Sequence, residues 1–352
     1  MVAELTIQDD ASAVAFGWAK RSFAARDGLG GRPVPTPIGQ FSSLLAGFGS
    51  RIAMTSDGIG TKIEIAERMG RYDTLGTDLL AMVIDDLAAN GVEPCVISNI
   101  LDVDRVDANV VDQLMAGLCA AALQAKVAVV GGEIAELGSR IGGWGDGMHF
   151  NWCATAIGNL RDGWAPVDGS TIAIGDAVIA LQSTSYRSNG YSALRKTLTA
   201  HFGENWHNTE FEGKSWGNWL LEPCRVYAPL IVAMRENNFS FNGLSHITGG
   251  GIGSKFGRTL KASGLGADLT HLFEPTAAML EVQRLGNYSD TAAYQHWNMG
   301  NGFLLTVDAS GADAAVAFAN GRGYMAQRCG QIVAAPRIEI RNPRFTLQFQ
   351  VG

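Results

Sequence analysis

The sequence predicts a two-domain protein of the α/β (α+β) class. Its 352 residues are enough for two cores at roughly 100 to 200 residues per domain. Short β-rich runs alternate with longer amphipathic stretches. That alternation stops at a polar connector, 159–169, and then starts again. The expected division is therefore 1–165 and 166–352.

In the first half, 51–56 reads as a strand and 62–69 as the start of a helix. The stretch 73–90 carries Leu75, Leu79, Met82, Val83 and Leu87 at helical spacing. A strand at 94–100, a helix at 107–124 and a short strand at 127–130 follow. In the second half the expected elements are a strand at 177–181, a helix at 191–200, a helix at 252–260, and strands near 302–307 and 337–340. The segment 201–221 holds Trp206, Trp216 and Trp219 without periodicity; it reads as a surface excursion whose tryptophans cover a neighbouring core, or as one edge of a pocket.

Composition excludes several function classes. Glycine accounts for 44 residues, well above the usual share of roughly 7%, but without a G-X-Y period. With 47% hydrophobic and 17% charged residues the chain is not disordered, and a net charge of −7 offers no general attraction to nucleic acid or anionic membrane. No apolar run approaches 18 residues, and Met1–Asp10 lacks the basic and apolar regions of a signal peptide. The expectation is a cytoplasmic protein starting near residue 1, with Cys95, Cys119, Cys153, Cys224 and Cys329 as reduced thiols, mostly buried.

Three groups of residues carry the chemistry in the first half. Asp57-Gly58-Ile59-Gly60-Thr61-Lys62 lies between a strand and a helix, where glycines admit a ligand to the backbone and the helix start offers free N–H groups. An aspartate beside an anion site calls for a cation, which points to Mg2+. Asp73, Asp78, Asp85 and Asp86 come next; Asp78 and Asp85 share a helical face, and carboxylates near apolar faces are costly unless paired or metal-bound. For Asp78 and Asp85 the expectation is helix surface or a subunit contact. Gly131-Gly132-Glu133 reads as a strand end with a glycine turn. Asp57, Asp86 and Glu133 together supply hard oxygen ligands for Mg2+ on a nucleotide. In the second half, Ser183–Ser192 and Ser245–Gly251 have the same strand-turn-helix character and suit anions. His246 reads either as a structural histidine or as part of a site.

In order along the chain, Asp57–Lys62, Tyr72–Asp78, Gly131–Glu133, Ser188–Ser192, Thr248–Gly251 and Asn298–Gly302 resemble the aminoimidazole ribonucleotide synthetase family, also called phosphoribosylformylglycinamidine cyclo-ligase, over about 32–307. The resemblance implies a two-domain fold whose N-terminal domains pair in a homodimer around a β-barrel. It also implies ATP and Mg2+ as cofactors and a small phosphorylated substrate. The implied catalytic residues are Asp57, Lys62, Asp86 and Glu133. The nucleotide would be held by Gly39, Asp57, Gly58, Gly60, Thr61, Lys62, Asp73, Asp86, Gly131, Gly132 and Glu133, with Asp57, Asp86 and Glu133 on the metal. Substrate would fall to Arg187, Ser188, Asn189, His246, Thr248, Gly249, Gly250 and Gly251.

The chain departs from the family pattern in four places, one of them the usual N-terminal Tyr-containing signature, which is not recognisable. Ser185-Tyr186-Arg187 stands where the family has Gly-Pro-His. The family's first glycine loop appears as Thr36-Pro37-Ile38-Gly39-Gln40-Phe41-Ser42, and Met-Pro-Gly-Met-Tyr has become 137–141. Alternatives to the cyclo-ligase therefore stay open: a paralogue activating another amide or carbonyl oxygen, or a nucleotide-binding regulator without catalysis.

Overall fold

A computed structural model of the chain describes residues 2–33 and 45–351; Gly39 and the rest of Thr36–Ser42 lie outside the described residues. The chain forms two compact units. Unit 1 comprises Met1–Leu87, Val92–Trp164 and Leu220–Pro229, and unit 2 comprises Ala88–Gly91, Ala165–Trp219 and Leu230–Gly352. The stretch 220–229 thus belongs with the first unit, although the expected division put it in the second.

Unit 1 opens with α1 (Val2–Ser22), which the sequence reading did not anticipate, and a short ribbon of β1 (Arg32–Pro33) and β2 (Leu45–Ala46). Ser22 fastens the end of α1 to the sheet: its hydroxyl accepts from the Val129 N–H at 2.7 Å. The central elements are β3 (Ile52–Gly58), α2 (Ile63–Met69), α3 (Leu75–Ala89), β4 (Glu93–Val103), α4 (Ala108–Ala125), β5 (Ala128–Glu136) and β6 (Phe150–Asn159). The strands form a mixed sheet in the order β3-β6-β4-β5, with β4 and β5 parallel.

The periodic leucines of α3 are fully buried. Its Gly76 lies where a Cβ would strike the backbone of Leu118 on α4, and Gly117 of α4 meets the Asp73 carbonyl in the same way. The glycine in Tyr72–Asp78 therefore serves helix packing. Asp107 caps α4 by accepting from the Asn109 N–H at 2.9 Å.

Unit 2 contains β7 (Ala177–Gln182), α5 (Tyr191–Phe202), the hairpin β8 (Glu210–Phe211) and β9 (Lys214–Ser215), α6 (Trp216–Leu220), α7 (Ala228–Glu236), β10 (Gly243–His246) and α8 (Gly251–Leu260). It continues with β11 (Gly266–Leu269), α9 (Ala277–Leu285), α10 (Asp290–His296), β12 (Asn301–Val307), α11 (Ala312–Asn320), β13 (Ala326–Val333), β14 (Arg337–Asn342) and β15 (Phe345–Gln350). Seven strands make a mixed sheet, ordered β10-β12-β7-β13-β11-β14-β15. Within the tryptophan-rich segment, Trp206 and Trp216 are buried and Phe211 stacks on Trp216 with centroids 4.8 Å apart. These aromatic rings are core; the lack of periodicity reflects a hairpin and short turns.

Candidate functional site

In unit 1, β3 delivers an exposed Asp57 to the turn Gly58–Lys62, where Gly60 takes a left-handed φ of 65° before α2 begins. Thr61 is exposed at this turn, and Asp73 is exposed beside Arg71, its ion-pair partner at 2.9 Å. Lys62 turns inward. Its ammonium is fully buried, 2.6 Å from Asp78 Oδ2, and donates to the Glu222 carbonyl at 2.7 Å.

Asp78 and Asp85 are not on the surface, as the sequence suggested, but fully buried. Asp78 accepts from the Cys224 N–H at 2.8 Å, and Asp85 accepts from Tyr227 and Ala228 at 2.8 and 2.7 Å. Their apolar surroundings are tolerable because backbone donors and a lysine satisfy them. The two carboxylates seven residues apart form a clamp on the stretch 220–229.

Gly131 and Gly132 correct a second expectation, since they lie inside β5, not at a turn. A Cβ on Gly132 would come within 2.5 Å of the Asn99 carbonyl oxygen on the adjacent strand, so this glycine permits close approach within the sheet.

The proposed metal triad is not assembled as three converging ligands. Across the sheet, Asp57, Ala154, Asn99 and Gly132 share one row of the register, while Gly58, Cys153, Ile100 and Glu133 share the next. Successive rows project to opposite faces. Asp57 and Glu133 also sit on opposite edge strands, about 14 Å apart at three strand spacings. Asp86 is half-buried on α3, and among the described residues no three His, Cys, Asp or Glu side chains converge to hold a metal ion.

In unit 2 three motifs come together. The loop after β7 carries Arg187 and Ser188 at φ values of 51° and 54°, and Gly190 at 75° forms the N-cap of α5. Asn189 donates to the Arg187 carbonyl at 2.6 Å, and Asn298 donates to the Ser185 carbonyl at 2.8 Å. A Cβ on Gly249 would lie 2.6 Å from Asn189 Oδ1, and one on Gly251 would strike the Tyr294 carbonyl. Gly250, at φ 91°, is the N-cap of α8, and Thr248 is buried beside it. The result is two helix starts capped by glycine and adjoining one polar loop, a geometry that suits anionic oxygen.

Arg187 and His246 are both buried. The guanidinium donates from Nε and Nη2 to His246 Nε2, at 3.1 and 2.6 Å. Within the Ser183–Ser192 motif, the Ser185 hydroxyl accepts from the Arg187 N–H at 3.4 Å; sequence reasoning missed the buried Trp297, whose indole bars a Cβ at Gly190. It also missed Glu67, which accepts from the Trp144 N–H at 2.9 Å and meets His149 Nδ1 at 3.0 Å. Only the position of Trp297 just before the Asn298 motif could have signalled any of these.

Both α/β units place glycine turns at helix starts, a geometry that suits anionic ligands. Residues 43–158 match the AIR synthase related protein N-terminal domain and residues 173–342 match the corresponding C-terminal domain, so the chain belongs to the AIR synthase related family. It is 32% identical to a phosphoribosylformylglycinamidine cyclo-ligase of Thermococcus kodakarensis over 92% of this chain and 91% of that protein. A cyclo-ligase of Methanothermobacter thermautotrophicus is 34% identical over 83% of each chain. Among solved structures, thiamine-monophosphate kinase from Stenotrophomonas maltophilia superposes with a TM-score of 0.69 at 18% identity, covering 93% of this chain and 95% of that one. The hydrogenase maturation protein HypE in complex with ATP superposes at 0.62 and 15% identity, covering 90% of each. These structural likenesses establish the fold.

Proposed function

We propose that the chain is an ATP-dependent phosphoribosylformylglycinamidine cyclo-ligase. ATP phosphorylates the formyl oxygen of formylglycinamidine ribonucleotide; an amidine nitrogen then attacks the activated carbon and displaces phosphate, giving aminoimidazole ribonucleotide, ADP and phosphate. The observation that carries this reading is the near full-length identity, above 30%, to proteins of that name. The motif loops of unit 2 support it, because a phosphorylated substrate needs clustered N–H donors more than a strong nucleophile.

Nucleotide is assigned to the turn Asp57–Lys62 with Asp73 nearby. Mg2+ on a nucleotide commonly uses one or two carboxylates and completes its shell with phosphate and water, so a three-carboxylate cage is not required. The exposed carboxylate of Asp57 at the mouth of the glycine turn fits such a partial set; Asp86 and Glu133 would contribute to nucleotide or metal separately. When bound, Mg2+ would neutralise phosphate charge. Lys62 is given a positioning role, setting the turn through Asp78 and Glu222. Ser188, Asn189, His246 and Thr248–Gly251 are assigned to substrate, with the buried Arg187 acting on that site through His246.

A homodimer is part of the same proposal. Ile52, Met54 and Ile100, 64%, 71% and 51% exposed, lie on one face of the four-stranded sheet, an apolar surface suited to a second copy. No described helix is long and apolar enough to cross a membrane, and a cytoplasmic location is proposed with the function.

The test is incubation with Mg-ATP and formylglycinamidine ribonucleotide, following ADP and the aminoimidazole product. Equimolar formation of both supports the reading. ADP formation only with another amide moves the chain to a paralogous activity, and ATP binding without turnover of any substrate moves it to a regulator.

A further inference from the structure

We propose that Arg187 is a positioning residue that holds His246 as a neutral imidazole with its proton on Nδ1. His246 is then not the acceptor of the proton lost in ring closure. The assignment of protons rests on the geometry alone; its link to ring closure rests on the cyclo-ligase reading.

A guanidinium has five N–H donors, no acceptor, and stays charged in proteins. Two of those donors reach His246 Nε2, at 3.1 and 2.6 Å, so Nε2 is the acceptor and carries no proton. A neutral imidazole has one proton, and it is therefore on Nδ1. Protonating Nε2 would require both contacts to break.

The surroundings hold both partners in place. His246 ends β10, paired in register with Phe303 of β12, and its ring stacks on the Phe303 ring at 6.1 Å and 22°. Arg187 is kept in its left-handed conformation by its own N–H to Ser185 Oγ and by Asn189 on its carbonyl. Such a backbone is strained in a residue other than glycine and persists only where surrounding contacts over-determine it. Here the contacts aim a buried fork at a single ring nitrogen.

The experiment uses the full chain labelled with 15N-histidine, with long-range 1H–15N spectra at pH 7 and the His246 signals identified by their loss in His246→Gln. The wild type is expected to show the Nδ1–H pattern. An Nε2–H pattern or a doubly protonated ring overturns the proposal, and this measurement needs no substrate and no folded variant other than the reference. Arg187→Met is expected to release the ring to Nε2–H or a mixture. It should also lower kcat by about 100-fold, the usual scale for a misplaced active-site group, with KM for ATP within about twofold. Arg187→Lys, which keeps the charge and one donor direction, is expected to restore part of the Nδ1–H signal and part of kcat. An Arg187→Met protein with full kcat and an unchanged tautomer overturns the positioning role. If the wild type shows Nδ1–H but makes no aminoimidazole ribonucleotide, the cyclo-ligase reading fails and the positioning role stands.

Discussion

Both units bury a cation directly behind a glycine loop, and they satisfy it differently. Lys62 in unit 1 faces a carboxylate, Asp78, that is itself tied to backbone N–H groups. Arg187 in unit 2 donates to a neutral ring, and the loops around it are shaped by glycines that admit no Cβ. Unit 1 therefore holds its turn in place by paired charge. Unit 2 relies on steric fit and left-handed backbone. The first device should respond to charge removal and acid, the second to the addition of single carbon atoms.

The largest expected effect is from Asp78→Asn. Leaving Lys62 buried without its counter-ion should cost about 3–5 kcal/mol in urea unfolding, and the double variant Lys62→Met, Asp78→Leu should recover more than half. A single-variant loss below about 1 kcal/mol would show that charge does not hold unit 1. The counterpart in unit 2 is Gly251→Ala, expected to cost about 1–3 kcal/mol or more, because φ is 61° and the new Cβ meets the Tyr294 carbonyl. Gly70→Ala is its control: φ 58° and ψ 30° are left-handed with nothing within 4 Å of the new Cβ, so only the left-handed penalty of about 1–2 kcal/mol applies. Equal losses at the two glycines would remove the steric half of the comparison.

A smaller effect concerns acid. Burial by itself would raise Glu93, but hydrogen bonds and charge from Arg161 and Arg26 outweigh it and hold the carboxyl below its ordinary 4.5. A carboxyl lowered on folding contributes stability that is complete above the unfolded value and lost as pH falls through the folded one. Unfolding free energy should therefore drop below about pH 4.5, more shallowly in Glu93→Gln. Hydrogen exchange should show unit 1 opening before unit 2. The smallest effect leaves stability untouched: burial pushes the Cys95 thiol up to about 11, so a thiol reagent at pH 8 should label the half-buried Cys153 well before Cys95.

Amphipathic α3 and α4, the strand-turn-helix at Asp57–Lys62 and the glycine caps at Gly190 and Gly250 were legible because period and turn chemistry are local. The role of Gly132 was not, since a glycine turn and a glycine packed under a neighbouring strand read alike until the register is known. Asp78 and Asp85 were singled out as costly on an apolar helix, but their partners lie 146 and 142 residues further on, at Cys224 and Tyr227. The pairing of Arg187 with His246 spans 59 residues and has no sequence signature. The separation of Asp57 from Glu133 follows from strand order, which local pattern does not specify.

The clamp on 220–229 has a consequence for biosynthesis. At roughly 5–20 residues per second, the ribosome reaches Tyr227 roughly 7–30 s after Asp85, the two being 142 residues apart. During that interval Asp85 must stay solvated or find substitute donors. Unit 1, though first to emerge, cannot finish folding until the Ala165–Trp219 stretch of unit 2 has been synthesised.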